Sequence, residues 1–220
     1  MKLNNQILAA TIAAFALVSC SEQAPKKTET SDSKTEEVAV TVEAKEYTID
    51  VERSVIKWTG SKPTEDHFGT LELDASSVTI LENGVMNGEI VVNMGSVKVT
   101  DIENEEYNAK LVGHLKNEDF FNVDSFPTAQ FNITEGVAND SVMKVMGELT
   151  IKGISNPAEL EYTMMADSNG FVVKGTHSFD RTKYDIKYKS KTIFGDLGDK
   201  FILDDIKLEY NLFLKEVPAK

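Results

Sequence analysis

Between Tyr47 and Leu214 the apolar residues repeat with a period of two, and no other feature of the sequence limits the fold as strongly. The clearest case runs from Ile206 to Leu214, where apolar residues alternate with residues such as Lys207 and Glu209. Successive side chains of a β-strand point to opposite faces, so the pattern predicts strands with one buried and one wet face. About eight such runs follow one another, most of them joined by short turns, which favours antiparallel pairing because parallel strands need long crossovers.

Eight antiparallel strands can close into a barrel, and closure removes the exposed sheet edges that invite aggregation. The sequence therefore predicts an all-β fold, an eight-stranded antiparallel barrel. A two-layer sandwich is the alternative.

One short helix is predicted within this β pattern. Tyr107, Leu111 and Leu115 recur every fourth residue and form an apolar stripe that faces the core. The pair Phe120 and Phe121 follows, and two adjacent large aromatic groups need an apolar pocket. We expect a short cap helix over one end of the barrel.

The first 46 residues are predicted to serve targeting and to lie outside the folded domain. Residues 7–18 are apolar but too short to span a bilayer, which predicts a cleaved signal peptide over residues 1–20. Cys20 follows Leu-Val-Ser, the pattern of a bacterial lipobox, so we expect it to be lipidated and to anchor the mature chain to a membrane. The alternative is an ordinary secreted protein with a chance cysteine.

Residues 21–46 are rich in Ser, Thr, Glu and Lys and contain no aromatic residue, which predicts a disordered linker. Residues 47–220 then form one domain of ordinary size. The predicted location is the bacterial cell envelope, lipid-anchored, on the periplasmic or the outer-membrane face.

The charge of the predicted domain argues against some partners. Residues 47–220 hold 29 acidic and 18 basic residues, a net charge of −11. Such a domain repels phosphates, so we expect it not to bind nucleic acid and to be a poor partner for anionic lipid surfaces.

The sequence offers little catalytic chemistry. His67, His114 and His177 are far apart and lack zinc-ligand spacing, and a single cysteine excludes an internal disulfide and a cysteine-based metal site. Neither a nucleophile elbow nor a glycine-rich phosphate loop is present. We expect no enzyme, no metal and no cofactor, apart from a bound isoprenoid or quinone-like lipid.

Of three polar positions, two leave alternative roles open. His114 is expected on the wet side of the cap helix. His177 points inward, either as a core histidine paired with a tyrosine or a backbone carbonyl, or as a contact to a ligand head group. Arg181 is either a structural clamp paired with Asp180 or Asp185, or a residue facing an anionic or quinone-like head group at the barrel mouth.

Whether the barrel is filled or hollow depends in part on Gly147 and Gly175. Both fall on inward faces and leave out the volume of a large side chain, which favours a cavity. The competing interpretation is that each glycine marks a bulge or bend. An apolar lining selects an apolar guest, because burying an unpaired polar group costs about 1–3 kcal/mol.

Five segments resemble the YceI-like, polyisoprenoid-binding family in the order expected. They are the opening strand pair at 47–60, the stretch 110–134 with its cap helix, DFF and FPTA elements, and the segments 147–160, 179–188 and 199–212. The resemblance implies a lipocalin-like barrel whose lumen holds a polyisoprenoid chain, in periplasmic or secreted proteins. One departure is that Tyr184 and Asp185 stand where the family more often has Phe-Gly.

We therefore predict a membrane-anchored protein that holds a polyisoprenoid or similar long-chain lipid inside a barrel. The alternative is a ligand-free envelope interaction module with a packed barrel. The predicted ligand-binding residues are Ile56, Trp58, Ile90, Val92, Leu111, Leu115, Phe120, Phe121, Phe131, Gly147, Leu149, Leu160, Tyr162, Gly175, His177, Phe179, Arg181, Leu208 and Tyr210.

Overall fold

The computed structural model describes residues 44–139 and 142–218. The predicted signal peptide, the predicted lipidation site Cys20 and the predicted linker up to residue 43 lie outside the described residues.

The described chain consists of strands with one substantial helix. The strands are β1 Lys45–Ile49, β2 Val55–Ser61, β3 Asp66–Leu73, β4 Ser77–Ile80, β5 Met86–Val99, β6 Thr128–Asn139, β7 Val142–Ile151, β8 Ile154–Asp167, β9 Gly170–Asp180 and β10 Asp205–Glu216. Helix α1 is Glu105–Lys116, and between β9 and β10 lie the short helix α2, Lys191–Phe194, and two 3-10 turns, Arg181–Tyr184 and Gly198–Lys200.

The strands close into an antiparallel barrel with eight positions around the wall. The closed order is β2, β3, β5, β6, β7, β8, β9 and β10, with β10 returning to β2. At the other end β1 takes the place of β2 beside β10, and β4 takes the place of β3 beside β5. The predicted eight-stranded barrel is confirmed, and two of its wall positions are each built by two short strands.

The strands bury the faces that the alternation of apolar residues predicts. Along β2 the buried residues are Ile56 and Trp58, and along β6 they are Ala129, Phe131 and Ile133. The period of two thus places the apolar side chains in the lumen of the barrel.

Helix α1 begins as expected, but its stripe is one residue shorter than predicted. The side chain of Asn104 accepts the Tyr107 N–H at 3.1 Å and caps the helix. Tyr107 itself is 62% exposed, so the prediction that it faces the core is wrong. Asn108 occupies the inward position of the first turn instead, where its amide donates to the carbonyls of Val99 and Ile102.

The two inward glycines mark close backbone approaches, and the prediction that they open a cavity is wrong. A Cβ at Gly175 would lie 2.3 Å from the carbonyl oxygen of Glu161, and the ring of Tyr210 already fills the space in front of it. A Cβ at Gly147 would lie 2.2 Å from the carbonyl oxygen of Asn132, next to a bulge in β6. The competing interpretation, a bend or bulge, is the one that the structure supports.

We expect Gly175→Ala to lower the free energy of unfolding by about 1–3 kcal/mol or more, because the new methyl group overlaps a backbone carbonyl that cannot turn away. Urea denaturation measures it. The matched control is Gly113→Ala on the open face of α1, where a Cβ has no neighbour within 4 Å. That change should stabilise by about 1 kcal/mol through helix propensity. Equal effects of the two changes would contradict the close approach.

Candidate functional site: the barrel lumen

The lumen contains two apolar cavities. The inner cavity is lined by β5 to β10 and by Ile56 of β2, and the mouth cavity lies between β2, β3, α1 and the segment that joins β9 to β10. The centre of a water molecule can occupy about 70 Å³ of the inner cavity and about 80 Å³ of the mouth cavity. At about 15 Å³ for each water, each cavity has room for about five waters, or for a similar number of methylene-sized groups.

Most of the predicted residues line one cavity or the other. The inner cavity is lined by Ile56, Ile90, Val92, Phe131, Leu149, Leu160, Tyr162, His177, Leu208 and Tyr210. The mouth cavity is lined by Trp58, Leu111, Leu115, Phe120, Phe121 and Arg181. Gly147, Gly175 and Phe179 line neither, and the ring of Phe179 packs edge-on against Tyr184 at 5.6 Å.

Other lining residues were missed by sequence reasoning. Ala129, Val145, Leu212 and Ile206 lie on predicted inward faces, so the alternation contained the signal for them. Six further lining residues also lie in strands: Met86, Gln130, Gly60, His67, Leu71 and Val97. The remaining three, Lys62, Ile186 and Ile202, lie in connections, where no period indicates which side chains face inward.

The two cavities follow one another along the same strands. On β2 the inner cavity is lined by Ile56 and the mouth cavity by Trp58, and on β10 they are lined by Leu208 and Ile206 respectively. A strand rises about 3.3 Å per residue, so the stretch from Leu212 to Ile206 covers about 20 Å. We call the two cavities together the tunnel.

The tunnel is blind at its inner end. Tyr162 reaches across the lumen from β8 to β5, where the Met86 N–H donates to its hydroxyl oxygen at 2.7 Å. The Tyr162 side chain is 2% exposed, and its burial raises the pKa of the hydroxyl. Beyond it Val78, Val85 and Leu214 fill the barrel end built by β1 and β4.

The cap forms the other end of the tunnel. Leu111, Leu115, Phe120 and Phe121 project from α1 and the turn after it into the mouth cavity. The predicted cap helix is therefore present, and its apolar residues face the lumen.

His114 does not lie on the wet side of the cap, so that expectation is wrong. Its ring packs edge-on against Phe120 at 4.9 Å and against Tyr188 at 4.5 Å, and its Nε2 atom is buried. Tyr188 belongs to the irregular segment between β9 and β10, which covers this side of α1. The period of a helix cannot reveal a neighbour that comes from elsewhere in the chain.

Arg181 is a structural clamp. Its guanidinium group donates to the carbonyl oxygens of Ile186 at 2.8 Å, Ile202 at 3.0 Å and Leu203 at 3.1 Å, and to Asp204 Oδ1 at 3.3 Å. The side chain is 1% exposed, and this burial lowers the pKa of the guanidinium while Asp204 opposes the shift. The clamp fixes the segment that forms one wall of the mouth cavity.

Neither predicted partner forms an ion pair with Arg181, although the Asp180 charge, like that of Asp204, opposes the lowering of the Arg181 pKa. Asp180 instead accepts the Thr182 N–H at 2.9 Å and caps the 3-10 turn after β9. The carboxylate of Asp185 pairs with Lys187. The real partner, Asp204, is 23 residues from Arg181, a separation that sequence reasoning does not connect.

His177 faces the inner cavity as predicted. The backbone carbonyl of Glu159 accepts a hydrogen bond from its ring, while Nε2 is buried and has no hydrogen-bond partner among the described residues. Burial lowers the pKa of this imidazole below its ordinary value of 6.5. The ring is therefore neutral near pH 7, and the core-histidine alternative agrees with these contacts.

Ion pairs surround the mouth cavity. Lys62 pairs with Glu65 at 2.6 Å, and His67 Nδ1 lies 2.8 Å from Asp101. Burial acts to raise the pKa of Asp101, but hydrogen bonds from His67 and from the Phe68 N–H lower it below its ordinary value. The polar groups at the rim are thus satisfied by one another.

The described ranges contain neither a metal-binding cluster nor a membrane-spanning helix. Residues 44–139 and 142–218 contain no group of three or more His, Cys, Asp or Glu side chains that could hold a metal ion. Within the same ranges, the helices are all too short or too polar to cross a membrane.

A closed antiparallel barrel with a blind apolar tunnel beneath a helical cap defines a lipocalin-like barrel. The YceI-like domain model matches residues 47–214, and the chain belongs to this family.

Comparisons with individual proteins agree with this fold. A polyisoprenoid binding domain from Saccharophagus degradans shares it with 17% identity and a TM-score of 0.56, and the match covers 78% of this chain and 98% of that chain. BcnA from Burkholderia cenocepacia shares it with 15% identity and a TM-score of 0.54, and the match covers 74% of this chain and 98% of that chain. A UPF0312 protein of Yersinia enterocolitica is 31% identical over 117 residues, 50% of this chain and 53% of the relative. The chain thus spans about half the length of the curated relatives it matches.

We expect Arg181→Met to lower the free energy of unfolding by about 3 kcal/mol or more, because it leaves Asp204 and three carbonyls without their donor. Urea denaturation measures it. Lys98→Met removes an exposed ion pair with Glu72 and serves as the control, with little change expected. A small effect at Arg181 would contradict the clamp.

The pKa of His177 predicts a dependence of stability on pH. The unfolded chain takes up this proton near pH 6.5 and the folded chain only at lower pH, so stability is retained above pH 6.5 and falls as the pH drops below it. Urea titrations of the wild type and of His177→Gln at several pH values should show the wild type losing stability relative to the variant below pH 6.5. A constant difference between the two proteins would contradict the buried neutral imidazole.

Proposed function

We propose that the protein binds a long-chain apolar lipid, a polyisoprenoid or a similar molecule, inside the tunnel, while Cys20 tethers it to an envelope membrane. The observation that carries the proposal is the pair of apolar cavities that follow one another along about 20 Å of strand beneath a cap of apolar side chains. No base, metal or nucleophile is needed for such binding.

The size of the tunnel sets the expected strength of binding. About ten methylene-sized groups fit, and at about 0.8 kcal/mol each their burial contributes about 8 kcal/mol before the cost of association. Association itself costs at least about 4 kcal/mol. A lipid therefore needs to fill most of the tunnel, and a short apolar molecule would bind weakly.

The relatives supply independent support for this class of ligand. The Saccharophagus degradans structure is described as a polyisoprenoid binding domain, and it shares the barrel of this chain at 17% identity. At that identity the shared feature is the fold, so the proposal depends on the tunnel lining of this chain.

The tether and the location are proposed from the sequence. The lipobox before Cys20 favours lipidation, and the composition of residues 21–46 favours a disordered linker between this anchor and the barrel. We infer a lipid-anchored protein in the bacterial cell envelope, on the periplasmic or the outer-membrane face.

The alternative is an interaction module without a guest. It requires an interior filled by its own side chains, and the two cavities in line with one another favour the lipid carrier over it. An enzymatic role built on His177 and Arg181 is less well supported, because Arg181 is occupied by three carbonyls and Asp204.

Organic extraction followed by mass spectrometry tests the proposal. The purified protein should yield a long-chain apolar molecule, and Ala129→Phe should reduce the yield about tenfold or more, since losing room for two methylene groups already costs about 1.6 kcal/mol. Ala129 lines the inner cavity, so the added ring occupies the place of the lipid.

The matched control is Ala138→Phe near the exposed end of the same strand, where the lipid yield should be unchanged. Ala129→Leu adds less volume and provides a second variant if the ring disturbs folding, which thermal denaturation monitors. Extraction that repeatedly yields no lipid from the wild type would refute the carrier function.

A further inference from the structure

The segment between β9 and β10 exposes several apolar side chains at the mouth end of the barrel. Ile193, Phe194 and Leu203 are all exposed, Phe194 to 57%. Single exposed apolar residues are common on protein surfaces, whereas a group of them beside a ligand entrance marks an interaction site.

Two lysines belong to the same surface. The Ile202 N–H donates to the Lys189 carbonyl at 2.9 Å, and a bridge joins Ser190 to Ile202, so residues 189–191 lie next to residues 201–203. We call Lys189, Lys191, Ile193, Phe194 and Leu203 the mouth patch.

The lysines of the mouth patch rest on aromatic rings. Lys189 Nζ lies 5.2 Å from the ring centroid of Tyr188, and Lys191 Nζ lies 4.9 Å from that of Phe201. Over the part of the chain that the structure describes, neither ammonium group forms an ion pair with a carboxylate. Both charges are therefore available to an external anion.

The local charge is opposite to that of the domain. Residues 183–203 hold five lysines and three aspartates, a net charge of +2, before Asp204 and Asp205 follow, while residues 47–220 carry −11. Charges further away than about 10 Å are largely screened at 0.1 M salt, so the acidity of the remaining barrel acts weakly at this surface. The expectation that the domain is a poor partner for anionic lipids depends on its average charge, which the mouth patch does not share.

The mouth patch is continuous with the entrance of the tunnel. Ile186 and Ile202 of the same segment line the mouth cavity, and Tyr188 packs against His114 and Phe120 of the cap. Whatever contacts the mouth patch therefore lies directly beside the path of a ligand.

We propose that the mouth patch docks on an anionic bilayer surface, with Phe194 and Ile193 inserted among the acyl chains and Lys189 and Lys191 at the phosphates. Exposed apolar residues flanked by lysines are what such an interface attracts. Docking in this orientation places the tunnel entrance against the bilayer, so that an apolar lipid passes between the two without crossing water. The passage of a lipid between bilayer and tunnel rests on the proposed function, whereas the docking itself does not.

A fluorescent label tests the docking in the full-length chain. Cys20 is the only cysteine, so Phe194→Cys and Met165→Cys each add one thiol for an environment-sensitive dye. Met165 is 52% exposed, close to the value for Phe194, but it lies near the β8–β9 turn at the packed end of the barrel. Both variants keep the same N-terminal region, and the unsubstituted chain gives the background from Cys20.

We expect the dye at position 194 to shift to the blue with phosphatidylcholine vesicles that contain phosphatidylglycerol, and the dye at position 165 to remain in water. Lys189→Glu with Lys191→Glu should lower the membrane-contacting fraction at least about tenfold, and raised salt should act in the same direction. Thermal denaturation verifies that the exposed substitutions leave the barrel folded.

Equal emission from the two labelled positions, or a dye at position 194 that stays in water with anionic vesicles, would overturn the docking. The dye reports contact with the bilayer whether or not a lipid occupies the tunnel. Failure of docking is therefore distinguishable from failure of lipid binding, which is measured by extraction.

Discussion

Closure of the sheet through the pairing of β5 with β6 is the constraint on which the rest of the structure depends. Without that pairing both strands would be edges, and the inward apolar residues would face solvent. With it, the barrel acquires an interior whose two ends differ. At one end β1 and β4 bring in side chains that fill the lumen, and at the other end α1 covers a lumen that remains partly open.

The alternation of apolar residues was sufficient to predict the wall of the barrel. It placed Ile56, Trp58, Phe131 and Leu208 on the inside, because a period of two fixes the face of every residue once one is known. It could not predict whether an inward glycine leaves space or admits a neighbouring strand. At Gly175 that depended on Tyr210 and on a carbonyl of β8, which are contacts distant in sequence.

The less regular parts of the chain account for the other errors. Tyr107, His114 and Arg181 all lie in or beside connections, where packing partners come from remote segments rather than from a periodic pattern. Arg181 illustrates the cause, since three of its four acceptors are backbone carbonyls, which carry no residue identity that a sequence could reveal. The same segment contains the mouth patch, which became recognisable only when exposure and neighbouring charges were known.

The departure of this chain from the usual Phe-Gly pair has a local explanation. Tyr184 is buried against Phe179, as a phenylalanine would be, and Asp185 adopts a left-handed backbone with φ of 59°. Glycine enters that region without strain and aspartate tolerates it better than most residues. The substitution therefore preserves the end of the 3-10 turn that begins at Arg181.

The hydrogen bond between the Met86 N–H and the Tyr162 hydroxyl closes the lumen at one end and so limits the length of chain that it can enclose. A lumen sealed at its far end admits a guest from one side only and measures how much of it is enclosed, about ten carbon groups on the volumes found. Any longer chain must trail out past Phe120 and Phe121. For the proposed guest, the end that enters first would be enclosed and the remainder would stay outside the barrel.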